Sequence, residues 1–306
     1  MRLSEEVKQI FCEVAELTEI PAGAYNFRVN GKSVGRQSSN NIDIKPKTDV
    51  SGLEIYIKAG TKNETVHIPV AISVTGIEEV VYNDFFVGDD SDVTIVAGCG
   101  IYNCGDENST HNGIHRFFIG KNCKVKYVER HLGLGRGAGG KILNPTTELE
   151  VGENSEATLY MEQLKGVDST IRVTKANLAK DAHIIIEERL LTHGRQTAES
   201  AYQIELGEDS TANINSRAVA RDISRQKFAS CIVGNRRCRG HSACDAILME
   251  DASVLAEPAL DAKSPDAALI HEAAIGKIAG DEIIKLCSLG LTEQEAESKI
   301  INGFLK

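Results

Sequence analysis

Residues 87–91 read Val-Gly-Asp-Asp-Ser, and the same five-residue phrase returns as Ile-Gly-Lys-Asn-Cys at 119–123 and Val-Gly-Glu-Asn-Ser at 151–155. Further copies are Leu178-Ala-Lys-Asp-Ala182, Leu206-Gly-Glu-Asp-Ser210 and Val233-Gly-Asn-Arg-Arg237, with a weaker one at Leu248-Met-Glu-Asp-Ala252. Each copy is an apolar residue, a small residue, a polar pair and then a strand-like run such as "VTIV", "VKYV" or "IIIE". The small residue permits a tight turn, and Asn or Asp tolerates a left-handed backbone. The steps are 32, 32, 27, 28, 27 and 15 residues. A strand-turn-strand unit cannot bury its own apolar face, so neighbouring units must stack. The pattern predicts a parallel β-helix, with the shortest step as one coil and the longer steps as two. The alternative is an antiparallel sandwich, which also alternates strands and turns.

Outward from the repeats, the N-terminus predicts a short helix. Ser4 is placed to cap it, and Val7, Ile10, Phe11, Val14 and Leu17 form an apolar stripe. Period-two alternation begins after Pro21, clearly so in "LEIYIK" at 53–58 and "HIPVAISV" at 67–74. At the other end, "DEIIKLCSLG" reads as a helix closed by Gly290. Thr292 and Glu295 then form a capping box for a second helix ending at Gly303. Two helices this short must dock on the coils, on a partner or on both. The expected organisation is an N-terminal helical segment over 1–30, a β-helix core over 31–265 and a C-terminal segment with helices over 266–306.

Composition narrows the function. Forty-four acids against 34 bases give a net charge of −10, contrary to a sequence-independent nucleic-acid binder. No apolar run approaches the roughly 18 residues of a membrane span. The glutamates of "MRLSEEVKQIFCEVAEL" argue against a secretion signal and for a cytoplasmic chain. Its eight cysteines are then expected as free thiols, and no Cys-x-x-Cys pair suggests a zinc ribbon. A β-helical polysaccharide enzyme would need aromatic platforms, yet the chain has no Trp and 5% aromatic residues. The stretch "GLGRGAGGKI" at 133–142 has the spacing of a phosphate-binding loop, Gly135-x4-Gly140-Lys141. Ile142 stands where the magnesium-binding Ser or Thr belongs, and Pro145 precludes the helix that must follow. The expectation is a flexible loop at a coil corner, with no nucleotide bound by this chain.

Two C-terminal clusters carry candidate chemistry: "HSACDAILMEDAS" with Cys244, and "LIHEAAIGKI" with His271 and Glu272. Thiolate, imidazole and carboxylate together suit iron or zinc. Against this, a lone strand Cys is usually a small buried hydrophobe, and adjacent strand residues point to opposite faces. Arg236, Arg237 and Arg239 read as a solvated turn, and Cys123, Cys231 and Cys238 as structural thiols. Cys12 and Cys287 read as packing residues on helical apolar faces. His111, His115, His131 and His193 lack metal-like spacing.

"CDAIL", "HEAAIGKI" and "GLTEQEAESKIINGF", in that order, resemble the C-terminal core of the SufB/SufD family of the SUF iron–sulfur cluster assembly system. The resemblance spans about residues 80–306, including "IVAGCG" and the turn repeats. It implies a right-handed parallel β-helix with C-terminal helices, and an assembly scaffold rather than an enzyme. By the resemblance, Cys244, His271 and Glu272 are the ligands of a nascent iron–sulfur cluster. Cys99 is the sulfur acceptor, with Cys104 as the alternative. The C-terminal helices dock on a SufC-type ABC ATPase, where the ATP is hydrolysed. Its other implied partners are a second copy or a SufD-like paralogue as dimer mate, a sulfur donor, and the apoproteins that receive the cluster. The intact Cys and His-Glu positions look SufB-like; the alternative is a non-ligating, SufD-like structural subunit. Three departures stand out. The chain lacks most of the N-terminal extension of longer SufB proteins. Ile270 stands where those proteins often have Glu. "VERHLGL" replaces a strand that supplies Gln and Trp, which leaves only the endpoints of an interior sulfur route.

Overall fold

The computed structural model describes residues 3–306 and consists of two sheets wound from one chain into a parallel β-solenoid. In the first sheet Asp92–Tyr102, Lys124–Leu134, Glu156–Lys165, His183–Thr192, Thr211–Ala220, Cys238–Leu248 and Ala267–Gly276 stack in order. In the second, Glu78–Val87, Ser109–Ile119, Thr146–Val151, Ser169–Leu178, Thr197–Leu206, Arg225–Gly234 and Ser253–Ala262 do the same. Successive strands alternate between sheets, so one coil contains two strands of about ten residues and two turns. The 27- to 32-residue steps are therefore single coils, not pairs. The 15-residue step is half a coil, because Leu248–Ala252 lies at the opposite corner from the other copies.

The repeated turn has the conformation its composition dictates. Asp90, Asn122, Asn154, Asp181 and Asp209 occupy the same place in five successive coils, with φ between 55° and 59°. Their side chains also stack: Asn122 Nδ2 donates to Asp90 Oδ1 at 3.1 Å, and Asn154 Nδ2 to Asn122 Oδ1 at 2.8 Å. Alternate strand residues fill the space between the sheets, among them Ile95, Phe85, Phe117, Leu159, Ile186, Ile204 and Ile214.

The ends of the solenoid differ. The N-terminal end is closed by antiparallel additions, Ala24–Val29 with Lys32–Gln37 and Ile42–Pro46 with Gly52–Ile57. At the C-terminal end, Ser253–Ala262 and Ala267–Gly276 each have a strand neighbour on one side only. Ala24–Val29 begins inside the expected N-terminal segment, and Ala267–Gly276 extends the coils into the expected C-terminal one.

Helix α1, Glu5–Ala15, starts at Ser4, whose side chain accepts from the Val7 amide. It buries Val7, Ile10, Phe11 and Val14 on the outer face of the first sheet, while Cys12 is exposed to solvent rather than packed. Close approach requires glycine in the strand beneath: a Cβ on Gly98 would sit 2.5 Å from the Val14 carbonyl oxygen. Gly98→Ala is expected to cost about 1–3 kcal/mol through overpacking. Amide exchange in α1 should accelerate, and unchanged exchange would show that the helix absorbs the methyl without lifting.

The two C-terminal helices are α2, Gly280–Ser288, and α3, Glu293–Phe304, the latter opened by the Thr292–Glu295 capping box. Helix α3 runs through Gly303 and docks Ile301, with Leu305 behind it, on Val219 and its neighbours on the first sheet. Helix α2 buries none of its residues. No described helix is long and apolar enough to cross a membrane.

Candidate functional site

Alternation decides what faces the interior. Cys99 on Asp92–Tyr102, Tyr127, Glu129 and His131 on Lys124–Leu134, and Met161 and Gln163 on Glu156–Lys165 all point inward from the first sheet. His111, His115 and Arg172 point inward from the second. Further along, Glu188, Ser216 and Cys244 follow on the first sheet and Ser200 on the second. The solenoid core thus contains a file of buried polar groups beginning at Cys99 and ending at Cys244.

The file is continuous in hydrogen bonds and ion pairs over its middle. His131 is the ladder partner of Cys99, and its Nδ1 lies 3.4 Å from Gln163 Oε1 and 3.4 Å from Arg172 Nη2. Arg172 donates to Glu129, which also accepts from Tyr127 at 2.9 Å, and Arg172 Nε lies 3.8 Å from Glu188. Glu188 accepts from Ser200 and, at 2.7 Å, from Ser216, the ladder partner of Cys244. Burial opposes charge on Glu129, but Arg172 and His131 prevail and hold its carboxyl down at about 2. Burial drives His115 and His131 down to about 4, so both are neutral at pH 7. The charges of the file are Arg172 with its acidic partners and His111, whose charge burial opposes but its neighbours, Glu79 among them, favour, raising it to about 10.

At the C-terminal end, Cys244 is 1% exposed. Burial, with Glu188 and Asp245 nearby, pushes its thiol up to about 12, so it remains protonated until a cation displaces the proton. His271 lies on the last strand opposite Ser242, which shares the inward face with Cys244. Its Nδ1 is buried without a hydrogen-bond partner. Glu272 points to the outer face, with Oε2 3.3 Å from His241 Nε2. The chain therefore brings Cys244 and His271 to one face and turns Glu272 away. Among the described residues no three His, Cys, Asp or Glu side chains gather as a metal site.

The remaining candidates separate. Cys99 is 6% exposed, whereas Cys104 is exposed. Tyr102 and the Arg136 backbone hydrogen-bond Cys104 and lower its pKa. The glycine stretch is a stacked loop rather than a flexible one. Gly137 and Gly139 donate to the carbonyls of Asn103 and Gly105 at 3.1 and 2.9 Å, and a Cβ on Gly139 would collide with Glu107 backbone. Lys141 is buried, pairs with Asp168 at 2.8 Å and begins a three-residue strand, not a helix. Arg237 grips Asp209 through two bonds in an exposed turn. Nothing in the sequence motifs singles out Arg172, Glu129 or Glu188, and His111 is set aside there for want of metal-like spacing. Inward parity within each strand marks them, but nothing in the one-dimensional pattern shows which strands face each other.

The SUF system FeS cluster assembly SufBD core domain matches residues 81–304. An iron–sulfur cluster assembly SufBD family protein of Methanocaldococcus jannaschii is 28% identical over all of this chain and 99% of its own length. One of Archaeoglobus fulgidus is 28% identical, covering 84% of this chain and 69% of the relative. One of Pyrococcus horikoshii is 26% identical, covering 90% and 84%. With the solenoid, the helical tail and a core-domain match over most of its length, this chain belongs to the SufBD family of iron–sulfur cluster assembly proteins.

Proposed function

We propose that the chain is a SufB-like scaffold on which a nascent iron–sulfur cluster is built as cargo. The observation that carries this reading is the buried polar file joining Cys99 to Cys244. In an otherwise apolar core such a file costs desolvation, and we take its presence between two candidate thiols as support for a polar cargo. Cys99 takes sulfur at one end. At the other, the Cys244 thiolate and the unpartnered His271 Nδ1 supply soft and borderline ligands for iron. Glu272 would join from the outer face only across a junction between two molecules. The last strands offer such a junction: their free edges can pair with a second copy or a SufD-like paralogue, and Leu255 and Ile270 stand 52% and 55% exposed beside them.

The C-terminal helices are the proposed seat of a SufC-type ATPase. Ile284 and Leu289 are 67% and 77% exposed. Only Lys277–Ala279 separates α2 from the strand that bears His271, so movement of a seated partner would be transmitted to the cluster site. ATP hydrolysis resides on that partner, and the product passes to apoproteins.

The test is anaerobic co-expression with the ATPase subunit, followed by absorption and Mössbauer spectra of the wild type and Cys244→Ser. The variant is expected to lose the cluster while keeping its circular dichroism and melting temperature. Unchanged cluster content would overturn the scaffold assignment and support a non-ligating, SufD-like role.

A further inference from the structure

Asn213, His241 and Glu272 share the outer face of the first sheet, one on each of its last three strands. Asn213 and His241 are ladder partners, and Glu272 pairs with Ala243, two residues along the strand from His241. His241 Nδ1 lies 3.2 Å from Asn213 Oδ1, and its Nε2 lies 3.3 Å from Glu272 Oε2. An amide oxygen only accepts, so Nδ1 carries the proton of the first contact. In the second, the Nε2 lone pair faces a carboxylate oxygen, and the two repel unless a proton or a metal cation stands between them. The separation suits the cation. Nitrogen and oxygen ligands each about 2.0–2.1 Å from one tetrahedral ion stand about 3.3–3.4 Å apart, whereas an N–H···O hydrogen bond is most often about 2.9–3.0 Å.

We propose that His241 and Glu272 form an outer-face site for a borderline divalent cation, separate from the inward Cys244 and His271, with Asn213 as its positioning residue. A histidine ligand ordinarily donates its other ring N–H to an oxygen acceptor, which fixes the tautomer and aims the ring. Asn213 does this for His241. Imidazole with carboxylate suits zinc or iron(II). The two side chains are 35% and 70% exposed, so the cation arrives from solvent without opening the core. Among the described residues no third His, Cys, Asp or Glu joins them. The strand bearing Glu272 has a strand neighbour on one side only, which leaves room for water or for a ligand from another molecule. Two protein ligands completed by water make a site that takes up a cation and releases it again. That the cation is iron(II), received one residue away from His271, rests on the scaffold reading; the site itself does not.

Zinc(II) alone is the probe, titrated calorimetrically into the reduced full chain carrying Cys244→Ser, which removes the inner thiol. Long-range proton–nitrogen spectra of the imidazoles read His241 directly, its signals assigned by their loss in His241→Gln. Circular dichroism first shows that each variant keeps the wild-type fold. His241 is expected as the Nδ1–H tautomer, with its Nε2 resonance moving as zinc is added. His241→Gln and Glu272→Gln should each weaken zinc binding tenfold or more, and Asn213→Leu about tenfold. An Nε2–H tautomer, or zinc binding that neither His241→Gln nor Glu272→Gln changes, overturns the site. Zinc binding abolished by Cys244→Ser alone overturns it too, since the inner pair would then account for the cation. Anaerobic cluster formation in the same variants tests the iron assignment separately. A His241→Gln chain that loses zinc yet forms the full cluster supports the site and overturns its part in iron supply. Full cluster content in Cys244→Ser with zinc still bound overturns the scaffold reading and supports the site.

Discussion

Arg172→Met is expected to destabilise the folded chain by about 3–5 kcal/mol, the loss typical of removing one partner from a buried charge pair. Arg172 is 3% exposed and donates to Glu129, which is 1% exposed, with Glu188 close by at 3.8 Å. Methionine matches much of the volume, so the loss measures two carboxylates stranded in a low-dielectric core rather than a cavity. Glu188 keeps its two serine donors, whereas Glu129 keeps only Tyr127 among its described hydrogen-bond partners besides Arg172. The second mutation that should recover stability is therefore Glu129→Leu, not Glu188→Leu. Denaturant unfolding of the single and double variants measures both effects. A loss under about 1 kcal/mol for Arg172→Met would place the pair in the screened regime of surface charges and rule out a dry file.

The same residues show what a sequence yields and what it withholds. The turns were legible because their cause is local: a small residue, then Asn or Asp at positive φ, then a strand, coil after coil. The start of α3 was legible for the same reason, since the Thr292–Glu295 capping box acts over four residues. The number of strands per coil was not. A 28-residue period accommodates either two long strands or several short ones, and only cross-sheet packing distinguishes them. The candidate site divides along this line. That His271 and Glu272 diverge follows from the two-residue period of a strand. That Arg172 meets Glu129 depends on how the two sheets face each other, over a separation of 43 residues. Inward parity nominates such residues; the solenoid decides which are neighbours.

Acid should unfold this protein from pH 6.5 downward, earlier than its carboxylates alone would bring about. His115 and His131 are held at about 4 by burial, against an unfolded value near 6.5. Between those limits the unfolded chain takes up a proton at each histidine and the folded chain does not. Stability therefore falls as pH falls, by about 1.4 kcal/mol per pH unit for each histidine. His67, also lowered by burial, acts in the same direction. Glu129, held at about 2, continues the loss below the ordinary carboxylate range, since its unfolded form is protonated first. His111 has the opposite sign. Raised to about 10, it contributes fully below pH 6.5, and its contribution is lost as pH climbs toward 10. Urea unfolding between pH 6 and 5 isolates the histidine contribution. His131→Gln should reduce the slope of stability against pH by about one proton while keeping a polar group beside Gln163 and Arg172. An unchanged slope would mean that His131 is already charged in the folded core, a second cation beside Arg172.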